Sequence, residues 1–151
     1  MAITNLNFID SLKKRIEVHE GKINKCYLDH LGNATIGIGH LVTVEDKIDV
    51  NKEYDDDFIM KLFDQDFKIA LEGATRLCQD MQMPDEKFGV FVEMCFQLGV
   101  NGVSKFKNAL THASNHAWDK CADELLNSRW HQQTPNRAKA LADVMRGKNN
   151  E

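Results

Sequence analysis

His19-Glu20-Gly21, Asp29 and Ala34-Thr35-Ile36-Gly37-Ile38-Gly39-His40 form the stretch on which the fold turns. Before Glu20, the apolar residues Phe8, Ile9, Leu12 and Ile16 recur at spacings of three and four, which predicts a helix over roughly Asn7 to His19. Gly21 suits the left-handed position just past that helix. After it the pattern becomes short and extended: Lys25-Cys26-Tyr27-Leu28 reads as one strand and Ala34 to Ile38 as another, with a turn around Gly32-Asn33. Glycines inside a strand weaken it, so Gly37 and Gly39 suggest a backbone that something approaches closely. Glu20 therefore stands where a helix stops and a small sheet begins.

Outward from this stretch, residues 43–54 are polar and mixed, and a short strand or turn is expected there. From Asp55 a strong helical pattern (Phe58, Ile59, Leu62, Phe63, Phe67, Ala70, Leu71, Ala74, Leu77) runs without a proline until Pro84. Asp55 can cap it, and Asp56 and Asp57 favour its positive end. A helix of this length reads as a connector between two lobes. Pro84 is expected to open the next helix as a first-turn residue. Phe88 to Leu98 is apolar nearly all round, so that helix should be central, ending at Gly99 and Asn101-Gly102. A short helix near Ser104 to His112, one capped by Asn115, and one starting at Thr134-Pro135 and closed by Gly147 complete the reading. The expected class is α+β and mostly helical. The expected parts are a sheet lobe over about 16–55, a connecting helix over about 55–78 and a helical lobe over about 79–147.

A length of 151 residues allows one domain with one core or two small ones. The net charge of −4 argues against a dedicated nucleic-acid binder. Acidic residues crowd the middle (Asp49, Glu53, Asp55, Asp56, Asp57), and the last quarter is basic: Arg129, Arg137, Lys139, Arg146 and Lys148 against Asp143 and Glu151. That basic face would suit an acidic polymer or a membrane surface, or be a solvated helix surface. No signal peptide is legible at the start, so synthesis in a cytoplasm is expected. Cys26, Cys78, Cys95 and Cys121 are scattered with no CxxC pair, which favours free buried thiols over a disulfide framework or a zinc site.

The chemistry concentrates in the carboxylates. Hydrolysing a glycosidic bond needs one acid to protonate the leaving oxygen and an anion or oriented water to meet the developing positive charge. A carboxylate pair with split pKa values can do both. Glu20 lies at the negative end of a helix dipole, which disfavours ionisation, whereas Asp29 on a polar turn should stay ionised. Thr35 could hold a water beside Asp29. Two acids nine residues apart are common, and taken alone Glu20 could serve a salt bridge and Asp29 a turn.

The surrounding residues are more specific. Glu20-Gly21, Asp29 and Thr35-Ile36-Gly37-Ile38-Gly39-His40-Leu41 resemble the phage lysozyme family of the T-even bacteriophage type, glycoside hydrolase family 24. Leu62 to Asp66, Phe96-Gln97-Leu98-Gly99, Ser128-Arg129-Trp130 and Gln133 to Ala138 agree with it in the same order, so the resemblance covers roughly Ile16 to Arg146.

The resemblance implies a two-lobed, cofactor-free muramidase that cleaves the β-1,4 bond between N-acetylmuramic acid and N-acetylglucosamine in peptidoglycan, with inversion. Glu20 would be the general acid, and Asp29 and Thr35 would position the attacking water, which inversion admits between carboxyls about 6.5–9.5 Å apart. Leu41, Phe96 and Gln97 match cleft-wall positions. Arg137 matches an arginine that pairs with the catalytic glutamate, and His40 and Asp66 match a structural ion pair. Glu93 departs from the pattern, standing where an amide is expected, and a carboxylate there needs a partner.

The expected biology is that of a monomeric phage or prophage endolysin. It would be held in the host cytoplasm until a holin-type permeabiliser admits it to the wall, with no nucleic-acid partner. A lytic transglycosylase and a catalytically silent glycan-binding or virion protein are the alternatives.

Overall fold

The computed structural model describes residues 5–28 and 33–147. Asp29, Gly32, Lys148 and Glu151 lie outside the described residues. Within them are seven helices and a three-stranded antiparallel sheet in the order β1-β2-β3. The chain divides into two compact units, Lys13–Ile69 and a second made of Met1–Leu12 with Ala70–Glu151.

Helix α1, Leu6–Glu20, buries Leu12 and Ile16, as the apolar spacing requires. It stops at Gly21, whose φ of +77° takes the left-handed turn while its N–H still bonds Glu17 O. Strands β1 (Ile23–Leu28), β2 (Ala34–Gly37) and β3 (His40–Leu41) follow. Tyr27 pairs with Thr35, and Thr35 with Leu41, while Ile36 pairs with His40. Directly opposed residues share a face. One face thus carries the row Tyr27, Thr35, Leu41, and Ile36 and His40 lie on the other. The turn Gly37-Ile38-Gly39 joins β2 to β3 through positive φ at both glycines, with Ile38 buried between them.

The mixed segment over 43–54 contains one 3₁₀ turn, Val44–Asp46, and a single bridge between Glu53 and Lys25 of β1. The long helix α2, Asp56–Leu77, has 22 residues, with Asp55 Oδ1 accepting the Phe58 N–H at its start. Ile59, Phe63 and Phe67 are its buried face in the first unit, where Ile16, Cys26, Ile36 and Ile38 are buried as well.

In the second unit, α3 (Asp85–Ser104) carries a fully buried run from Phe88 to Met94. Pro84 stands at its cap rather than in its first turn, with ψ of 151°. The ring fixes φ but leaves ψ free, so proline also serves just outside the helix. Gly99, at φ +79° and ψ +156°, breaks α3 where a stop is expected, but a last turn resumes as far as Ser104. Helices α4 (Lys107–Ser114), α5 (Trp118–Leu126), α6 (Arg129–Gln133) and α7 (Pro135–Arg146) complete the unit.

Two expected caps are corrected. Asn115 ends α4, its N–H bonding Thr111 O and His112 O, and Ala117 precedes α5 after His116 turns the chain with φ of +58°. The short helix accordingly starts at Lys107 and not at Ser104. Thr134 occupies the cap of α7, but its hydroxyl donates to Trp130 O and does not cap the helix. Gly147 closes α7 in the left-handed conformation, as its position predicts. All four cysteines are free and buried. Burial pushes the Cys78, Cys95 and Cys121 thiols up to about 12.

Candidate active site

Glu20 is the last residue of α1 and is half-buried. Its carboxyl lies against the β2–β3 turn: a Cβ on Gly39 would come within 2.5 Å of Glu20 Oε1. Gly39 has φ of +68°, so absent side chain and left-handed backbone are required at the same position. The twin-glycine segment therefore does what its sequence suggests, letting backbone approach an acid.

Thr35, half-buried, lies in β2 on the same strand that leads into this turn. Its register neighbours Tyr27 and Leu41 are 39% and 58% exposed. A hydroxyl flanked by two open apolar surfaces is suited to a sugar ring, which presents both C–H faces and hydroxyls. Leu41 was expected on such a surface. Tyr27 was not, although its position at the strand end, two residues before Asp29, is a signal that alternation could have exposed.

His40 turns to the opposite face. Its Nδ1 lies 2.6 Å from Asp66 Oδ2 of α2, the expected ion pair. Its Nε2 lies 2.8 Å from Asp46 Oδ2. The Asp66 hydrogen bond, with that of Asp46, raises the His40 pKa to about 9 against the opposing pull of burial. Both ring nitrogens then carry protons, and His40 is an imidazolium held between two carboxylates. Asp46 escaped the sequence reading. The pattern Thr43-x-x-Asp46 is a capping-box signature that could have revealed it: Asp46 Oδ2 also accepts the Thr43 N–H at 2.8 Å.

In the second unit, Glu93 is fully buried and Arg137 is 9% exposed. Arg137 Nε donates to Glu93 Oε2 at 2.8 Å. The carboxylate that departs from the family pattern thus has a guanidinium as partner, from α7 to the buried face of α3. One helical turn on, Gln97 Oε1 accepts from Trp130 Nε1 at 2.9 Å, and Gln97 Nε2 donates to Thr134 Oγ1 at 3.4 Å. Trp130 is 3% exposed and belongs to the core, as expected. Phe96 and Gln97 are half-buried. Gln97 is thereby oriented by Trp130 and Thr134, which would hold its amide still for any ligand it meets.

Two of the four basic side chains of the C-terminal face that lie among the described residues are paired with carboxylates. Arg137 is inside, and Arg146 Nη2 lies 2.5 Å from Asp123 Oδ1, with Asp119 3.8 Å from Nη1. Lys139 and Arg129 are exposed. No group of three or more His, Cys, Asp or Glu among the described residues could hold a metal ion.

Comparison with known proteins places this geometry. Residues 17–150 match the family model described as phage lysozyme. The chain is 31% identical to probable T4-type lysozyme 2 of Dictyostelium discoideum over 90% of its own length and 94% of that protein. Probable T4-type lysozyme 1 of the same organism is likewise 31% identical, over 91% and 94%. The chain is also 31% identical to the pre-baseplate central spike protein Gp5 of Enterobacteria phage T4, over 89% of its own length but 27% of that protein.

Proposed function

Since the chain belongs to the phage lysozyme family and is a glycoside hydrolase acting on peptidoglycan, we propose that it hydrolyses the β-1,4 bond between N-acetylmuramic acid and N-acetylglucosamine with inversion. The observation that carries this reading is the seating of the Glu20 carboxyl, at the end of α1, against the Gly37-Ile38-Gly39 turn that follows Thr35. Glu20 protonates the glycosidic oxygen as the bond breaks. Asp29 and Thr35 hold a water on the opposite face of the sugar ring, and the Asp29 carboxylate takes a proton from it as it attacks. Leu41, Phe96 and Gln97 supply apolar and amide surface to the sugars.

Wild-type protein should clear a peptidoglycan suspension, and Glu20→Gln should reduce the rate by at least 10²-fold, the usual contribution of a general acid. Equal clearance by both proteins would remove Glu20 from the acid role. Proton NMR of the fresh product should show the anomer opposite to the substrate linkage; retention would argue against a water held by Asp29 and Thr35. Products ending in 1,6-anhydro sugars would instead identify a lytic transglycosylase. The biological role that fits is host cell lysis: a monomer retained in the cytoplasm until a holin-type partner opens the membrane. Expression in bacteria with and without such a permeabiliser tests this, and prompt lysis without one would refute the dependence.

A further inference from the structure

We propose that Asp46 is a positioning residue for the hydrolytic reaction, acting through His40 to hold the Gly39 turn against the Glu20 carboxyl. The proposal rests on the reading of Glu20 as general acid. Three observations carry it.

The first is that Asp46 and Asp66 grip His40 from opposite ring nitrogens, at 2.8 and 2.6 Å. A single carboxylate leaves an imidazole free to pivot about one hydrogen bond. Two, from different elements, fix both the plane of the ring and its place along β3. Asp66 comes from α2 and Asp46 from the 3₁₀ turn.

The second is that Asp46 is itself held. Its Oδ2 also takes the Thr43 N–H at 2.8 Å, and both halves of a capping box are present. Lys47 closes the turn in the left-handed conformation, its N–H on Val44 O. The side chain is 20% exposed, so this ion pair is partly withdrawn from solvent screening.

The third is the adjacency of His40 and Gly39. The Glu20 carboxyl is packed so closely on Gly39 that a single methyl would collide with it. Movement of His40 is therefore movement of the surface on which the acid rests. Proton transfer loses efficiency steeply when donor and acceptor are displaced by about 1 Å.

The charges that act on His40 are these two carboxylates, Asp66 first and Asp46 second, and both hold it protonated. Against burial, which raises it, the Thr43 N–H and then His40 hold Asp46 below its ordinary value. The grip is present while His40 is charged and weakens as pH rises through its titration.

The test uses Asp46→Asn in the full chain. An asparagine Oδ1 can still accept from Thr43 and from His40, so the cap survives and the charge goes. The His40 pKa, followed by NMR of the ring carbons, should fall below that of the wild type. At neutral pH kcat should fall several-fold, with KM little changed. Asp46→Glu, which keeps the charge, should leave His40 titrating near the wild-type value even if the cap loosens. An unmoved His40 pKa in Asp46→Asn would show that Asp46 is not an electrostatic partner. A His40 pKa that falls while kcat at neutral pH stays at the wild-type value would show that the grip does not position the acid. Should Asp46→Asn fail to fold, normal kcat at neutral pH in Asp46→Glu with a shifted His40 titration would equally overturn the proposal. Glu20→Gln serves as the separate control. It should abolish activity without moving the His40 titration, so retained activity there condemns the acid assignment and not the role of Asp46.

Discussion

Two glycines of the same backbone conformation separate the roles that a missing side chain can play. Gly39 and Gly147 both have left-handed φ, +68° and +87°. A Cβ on Gly147 would meet only Lys87 Nζ at 3.6 Å, an ordinary contact, whereas on Gly39 it would meet Glu20 Oε1 at 2.5 Å. Either alanine carries the left-handed penalty of about 1–2 kcal/mol. Gly147→Ala should therefore lower the urea midpoint and leave clearance of peptidoglycan unchanged. Gly39→Ala should lower the midpoint and also reduce clearance more than tenfold. Equal activity in the two variants would mean that Glu20 does not depend on this turn.

Glu93 is the other residue whose surroundings define it. A fully buried carboxylate is tolerable because Arg137 Nε reaches it at 2.8 Å. Glu93→Ala removes that carboxylate and takes from Arg137 Nε–H its buried acceptor. Its expected cost in urea unfolding is about 1–3 kcal/mol, that of a buried donor deprived of its acceptor. Glu93→Gln keeps an acceptor for Nε–H and should cost clearly less. An alanine as mild as the glutamine would show that the pair contributes little to stability.

At the scale of elements, the helix boundaries follow local chemistry where one residue decides them. Asp55 caps α2, Gly21 ends α1 and Gly147 ends α7, each visible as residue type against an apolar period. Gly99 decides more than an end. Its φ of +79° with ψ of +156° falls in a region that essentially only glycine occupies, and it splits α3 in two. There is open space around it: a Cβ would meet nothing within 4 Å. Gly99→Ala should nonetheless destabilise by about 1–3 kcal/mol, because the strain lies in the backbone and not in a clash. Differential scanning calorimetry of the two proteins checks this, and an unchanged Tm would mean that the break relaxes into regular helix. Asn115 and Thr134 show the opposite case. Both are good caps by type, but Asn115 ends a helix instead of starting one, and the Thr134 hydroxyl goes to Trp130 O with the Gln97 amide beside it. A cap is a competition between local and tertiary partners, and type alone does not name the winner.

At the scale of the whole molecule, the pH dependence of stability should carry the mark of the His40 cluster. The folded His40 pKa, about 9, stands above its ordinary value of 6.5. Its contribution is therefore complete below about pH 6.5 and is lost as pH rises through about 9. The difference corresponds to something on the order of 3 kcal/mol. Asp46 is shifted the other way, below 3.8, so its share is present above that value and is lost as pH falls through the lower folded pKa. The two shifts share the His40–Asp46 contact and so do not simply add. Urea unfolding should give the cluster's full effect between about pH 4 and 6.5, with a decline toward pH 10 that Asp66→Asn largely removes. A wild-type decline that persists unchanged in Asp66→Asn would place the alkaline sensitivity elsewhere.

The residues themselves determined the broad class, the order of the elements and the identity of the proposed acid. Period and punctuation are local properties, and Glu20-Gly21 followed by Thr35 to His40 carries both the helix stop and the close-approach glycines. The tertiary structure alone decided who meets whom. It set Gly39 against the Glu20 carboxyl, gave Glu93 its guanidinium across 44 residues, turned Gln97 toward Trp130, and brought Asp46 to the free side of the His40 ring. Those pairings join residues distant in the chain. Their energies depend on burial and on the direction of single hydrogen bonds, and neither quantity is written in residue type or spacing.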